Sequence, residues 1–130
     1  MAKTDDRPVD AGLALLKGKD ETTAVAWWKE RFSSIAAVPE DTARVGALTP
    51  TLRELTRITD EQERRRLTRA RLIAFAQLPQ GERDLIMAAR KRAWEIDAEV
   101  LDRDQKLVDQ LLPELDPDVR SAYPPPPSPR

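Results

Sequence analysis

The side chains able to do chemistry in this 130-residue chain are carboxylates, amines, guanidiniums and hydroxyls, because it contains no His and no Cys. Without His, the commonest side-chain base near neutral pH and the commonest transition-metal ligand are missing. Without Cys there is no thiolate nucleophile, disulfide framework or cysteine-bound metal cluster. Glu95, Glu99 and Asp102 have the spacing of carboxylates on one helical face. Dimetal carboxylate bundles combine such residues with Glu-x-x-His, so here the set reads as a solvated acidic face rather than a magnesium or calcium site. No strand-borne nucleophile turn and no glycine-rich phosphate loop accompanies the hydroxyls. The expectation is a non-enzymatic protein with no cofactor and no metal.

Charge is the next chemical feature. The net charge is only −1, yet Arg64 to Arg92 holds nine Lys or Arg against two acids, and Glu95 to Asp118 holds nine acids against two bases. Arg65, Arg66 and Arg69 would face away from the apolar stripe of their helix, so they are the candidate surface for nucleic acid or another polyanion. That helix lacks an exposed aromatic for base stacking. The competing reading is that antiparallel helices bring the two blocks together and neutralise them within the fold. An Arg64–Asp97 salt bridge is the specific form this takes, if the helices on either side of Pro79 form an antiparallel hairpin.

For a protein partner the candidates are aromatic and apolar. Trp27 and Trp28 are adjacent, so one helix cannot aim both at one core line; Trp28 fits the stripe and Trp27 sits at its margin, free to anchor a partner. Trp94 poses the same question beside the seam of a later helix. Leu85, Leu101, Val108 and Leu112 lie beside that seam too, giving more apolar breadth than one neighbouring helix covers. A protein partner or self-association is therefore the expected mode, with Trp27, Trp94, Leu101 and Val108 as contact residues. Nucleic acid is the alternative, and no membrane association is expected.

These residues must be carried on helices. Ala, Leu, Arg, Glu and Asp are plentiful and strand formers scarce. The central stretch, Thr59 to Leu78, places Leu67, Ala70, Ala74 and Leu78 on one stripe, and Leu72 to Ala76 adds apolar residues around the rest of its second half. Before it, Asp10 can cap a short helix ended by Gly18. Asp20 can cap a longer one through Val25, Trp28, Phe32 and Ile35, reaching Ala37. Residues 38–48 read as a connector with one turn after Pro39 that stops at Gly46. Thr49–Pro50 then starts a short helix. After Pro79 and Gly81, no Gly or Pro occurs until Pro113. Ile86, Ala89, Ala93, Ile96, Val100 and Leu107 keep heptad spacing there, with Arg103 in the seam. This predicts one helix of nearly thirty residues, with a possible restart near Asp97 or Asp102. Asp116–Pro117 begins a last turn ending near Tyr123.

The fold class expected is all-α, a small antiparallel helical bundle of about four main helices with short turns and a polyproline tail. Residues 1–8 read as a flexible start, 9–123 as a single helical domain and 124–130, PPPPSPR, as extended polyproline II. MAKTDDRPVD is too acidic and polar for a signal peptide, which makes a cytoplasmic location the default.

Overall fold

A computed structural model describes residues 12–123, and every regular element among them is helical. The expected flexible start, the Asp10 cap and the polyproline tail lie outside the described residues. A 3-10 turn, Leu13–Leu16, leads into α1 (Glu21–Ala37), α2 (Asp41–Thr56), α3 (Glu61–Ala76), α4 (Gln80–Ile96) and α5 (Ala98–Leu111). A second 3-10 turn, Leu112–Glu114, connects to a short α6 (Pro117–Ala122). Helix α1 lies mainly on α3, α2 on α4 and α5, and α6 on α3. Their buried apolar side chains form one cluster.

The caps follow local chemistry. Asp20 accepts from the Thr23 amide at 2.9 Å. Asp60 accepts from Gln62 and Glu63 at 3.0 and 3.2 Å, satisfying amides that the first turn of α3 would leave orphaned. The Glu63 carboxylate, which stands at capping-box spacing from Asp60, turns to Arg66 instead. The stripe of the central helix is buried as expected at Leu67, Ala70, Ala74 and Leu78. Aromatic rings run through the core from Trp27 to Trp28, Phe32, Phe75 and Tyr123, with successive centroids 5.1, 5.4, 6.1 and 5.3 Å apart.

Two expectations are overturned, and a third is decided between its alternatives. Residues 41–56 form one continuous helix through Gly46 and Pro50, not a connector followed by a new start. Proline costs a helix interior about 3 kcal/mol. Val45, Leu48, Leu52 and Leu55 form one buried stripe across it, and burial of such side chains is worth about 1.5–3 kcal/mol each. The stripe outweighs the proline.

Second, α3 and α4 are not packing neighbours despite the short link between them; α1 occupies the place beside α3. The Arg64–Asp97 bridge therefore does not form. Arg64 donates to the Ile58 carbonyl at 2.6 Å, and Asp97 accepts from Arg53 of α2 at 2.7 Å.

Third, the run of nearly thirty residues is two helices, divided at Asp97, one of the two positions expected for a restart, where φ is −135° and ψ 66°. Helix α5 then folds back antiparallel on α4, which brings Arg90 level with Asp104 and Gln105 and Trp94 level with Asp102. The break leaves Ile96 69% exposed and shifts the buried stripe to Val100, Leu101, Asp104, Val108 and Leu111. Arg103, expected in the seam, is on the surface with Glu99. Leu101 and Val108, expected to meet a partner, are fully buried in the chain's own core.

Two stability predictions follow from this packing. Pro50→Ala should stabilise the fold by about 2 kcal/mol, restoring an amide while loosening the unfolded chain slightly; a lower denaturation midpoint would show that Pro50 is needed where it stands. Trp28→Ala should cost roughly 3–5 kcal/mol. Trp27→Ala should cost clearly less, because Trp27 is only partly buried, and equal losses in chemical denaturation would contradict this.

Candidate functional site

The most unusual chemistry lies inside the bundle. Asp104 of α5 accepts from Arg71 of α3 through Oδ1 and from Arg90 of α4 through Oδ2, both at 2.5 Å. The side chains are 0%, 2% and 7% exposed respectively. Arg90 also donates to Gln105 at 2.9 Å, and its guanidinium lies 5.2 Å from the Trp94 ring centroid and 5.8 Å from that of Tyr123. The Tyr123 phenol faces Arg71. Arg71 Nη2 has no hydrogen-bond partner. Two cations and one anion leave this buried cluster with a net charge of +1.

Burial alone would push the Asp104 carboxyl up. The attraction of Arg71 and Arg90, with their hydrogen bonds, outweighs burial and holds it below its ordinary value of 3.8. Burial likewise opposes the charged form of Arg71, but Asp104 keeps its guanidinium protonated beyond the usual range. Each helix places its member by register. Arg71 lies between Ala70 and Leu72 in the apolar half of α3. Asp104 sits four residues from Val100 and from Val108, so it is in the middle of the α5 stripe.

Arg65, Arg66 and Arg69 are half-buried and all engaged. Arg65 pairs with Glu114 at 3.2 Å. Arg66 pairs with Glu63 at 2.6 Å, and donates to the Leu16 carbonyl at 2.8 Å and to that of Lys19. Arg69 pairs with Glu21 at 3.2 Å. The Arg65–Glu114, Arg71–Asp104 and Arg90–Asp104 pairs join the basic and acidic blocks. Four further arginines share a device the sequence reading missed. Arg44, Arg64, Arg83 and Arg120 are each the fourth residue of their helix, and each donates to a carbonyl five or six residues back, of Val38, Ile58, Leu78 and Leu115. They close the connections that precede their helices.

Trp27 is partly buried, edge-on to Trp28, with the Arg31 guanidinium 4.9 Å from its ring centroid. It borders a shallow groove of about 230 Å³ with Glu30 and Ser34. A side chain at Gly12, where φ is +94°, would meet the Trp27 ring at 3.0 Å. Trp94 is partly buried, and its Nε1 donates to Asp102 at 2.8 Å. Glu95, Glu99 and Asp102 are exposed. Among the described residues no group of three or more carboxylates is placed to hold a metal ion.

The outer face of α4 presents Leu85, Ala88, Arg92 and Ile96 on one helical stripe, all exposed. Beside it, a groove of about 280 Å³ runs between α2 and α4, with Val45, Ala88 and Ala89 as its floor and Asp41, Lys91, Arg92 and Glu95 around its rim. Comparison with protein-family models, curated proteins and solved structures returns no match.

The signal for the triad was present in the sequence as Asp104, a carboxylate in phase with Val100 and Val108. It was obscured by carrying the heptad phase unbroken through Asp97. Asp104→Asn should destabilise the fold by about 3–5 kcal/mol, because it leaves two buried guanidiniums without their anion. Because the carboxyl is held low, its contribution is complete above roughly pH 4 and is lost as pH falls through its folded-state value. Chemical denaturation should therefore show Asp104→Asn costing less at pH 2.5 than at pH 7. An equal cost at both would mean that the carboxylate charge is not what matters.

Proposed function

We propose that this chain is a non-enzymatic helical interaction or regulatory subunit, working through a protein partner or by self-association. The observation that carries this reading is the exposed α4 face, where Leu85 and Ile96 are 36% and 69% exposed on the same stripe as Ala88 and Arg92, which line the α2–α4 groove. Leu85, Ala88 and Ile96 are the apolar members of this stripe, with Arg92 between Ala88 and Ile96 on it and Lys91 and Glu95 beside it. A non-obligate interface mixes apolar and charged area in this way. The absence of His and Cys supports the non-enzymatic part.

Nucleic-acid binding through Arg65, Arg66 and Arg69 is the weaker reading, because each of these guanidiniums has a carboxylate within the fold. Such surface pairs are worth only about 0–1 kcal/mol each. A polyanion would nonetheless have to displace three of them together.

Sedimentation and co-purification at native abundance should show a dimer or a protein partner. Leu85→Asp with Ile96→Asp should weaken that association at least tenfold without loss of helicity. A strictly monomeric chain with no partner would overturn the reading. Replacing Arg65, Arg66 and Arg69 with Ala should leave any binding to DNA or RNA with an unchanged salt slope. A slope reduced by about one unit per arginine would assign those residues to phosphate contacts instead.

A further inference from the structure

We infer that the Arg71–Asp104–Arg90 triad forms the floor of a binding site for a small aromatic monocarboxylate, and that Tyr123 occupies this site as an internal stand-in. The inference is independent of the α4 surface.

A cavity of about 10 Å³ lies where Arg71 and Arg90 meet Tyr123. That is room for one water at most. Its walls are apolar and include Phe32, Phe75, Leu52 and Met87. Arg71 lines this space and carries the buried Nη2 without a hydrogen-bond partner. Both Asp104 oxygens are already engaged by Nη1 donors. The floor therefore carries a net charge of +1 and an unpartnered donor, Nη2, on a guanidinium whose polar neighbour besides Asp104 at this floor is the neutral Tyr123 phenol.

Tyr123 meets this floor only in part. Its ring packs edge-on to Phe75 with centroids 5.3 Å apart, and its phenol end faces Arg71. It supplies an aromatic body and an oxygen acceptor, but no negative charge. A benzoate-like ligand supplies the same body and acceptor together with the missing charge, and its two oxygens match the forked donors of a guanidinium. Tyr123 also has a weak tether. Helix α6 is six residues long and contributes no buried side chain, Val119 is partly buried, and Arg120 ties back to the Leu115 carbonyl. Segments with so few buried contacts open at low cost. Moving Tyr123 aside would enlarge the cavity by the volume of one aromatic ring, which sets the size of the ligand.

The test titrates benzoate, with benzamide as its uncharged isostere, into the full chain by calorimetry. Wild type should bind benzoate weakly, because Tyr123 competes. Tyr123→Ala should bind it at least tenfold more tightly, and benzamide at least tenfold less tightly than benzoate. Adding Arg71→Met to Tyr123→Ala should abolish the preference for benzoate, with helicity by circular dichroism confirming the fold. If Tyr123→Ala does not fold, Tyr123→Phe removes only the phenol oxygen, and benzoate affinity must still rise while that of benzamide does not. Equal affinity for the two ligands, or no benzoate binding by a folded Tyr123 variant at millimolar concentration, would overturn the proposal.

Discussion

Asp104 holds two guanidiniums out of water with one carboxylate, and the arrangement of α3, α4 and α5 depends on that grip. Hydrophobic burial is proportional to area and has no direction. Alone, it would leave these helices free to rotate and slide among arrangements of similar apolar area. Charge-assisted hydrogen bonds at 2.5 Å are directional and short. A rotation of any one helix would strand a charge in the core, where the cost is several kcal/mol per ion. The triad is thus less a source of net stability than a device that excludes alternatives.

The same principle explains the break at Asp97. A continuous helix would carry Asp104 and the stripe around it away from α3. The break turns α5 back along α4, so Asp104 can reach Arg71 and Arg90 together. Arg53 of α2 holds the Asp97 carboxylate at the corner, with both side chains about 30% exposed. Ile96 is left outside by this turn. An exposed isoleucine at the corner is the local cost of placing the α5 stripe in the core, and it also helps to give α4 an apolar outer face.

Arginine does a second kind of work around the bundle. At the fourth position of α2, α3, α4 and α6 it closes the preceding connection by donating to a carbonyl there. Those carbonyls lie where helical bonding has stopped and would otherwise need water. Arg65, Arg66 and Arg69 join α3 to the second 3-10 turn, the first 3-10 turn and the start of α1 respectively. A sequence this rich in arginine invites a polyanion reading, yet many of its guanidiniums are engaged in the fold's own architecture.

Much of the secondary structure was determined locally. Caps at Asp20 and Asp60, the proline at the start of α6 and the stripe of α3 are set by interactions within a few residues, so residue order alone reveals them. The all-helical class follows from the same local terms. What spans elements was decided only by tertiary packing. Pro50 stays inside α2 because a stripe of four of that helix's own side chains, buried against other helices, outweighs a local penalty. Helix α1 separates α3 from α4, although a three-residue link suggested a hairpin. Arg71, Arg90 and Asp104 look like ordinary charged residues until three helices place them together. Leu101 and Val108 look like an open apolar edge until α5 turns back. A side chain's periodicity shows which face it shares, but only the neighbouring helix decides whether that face meets water, a partner or the core.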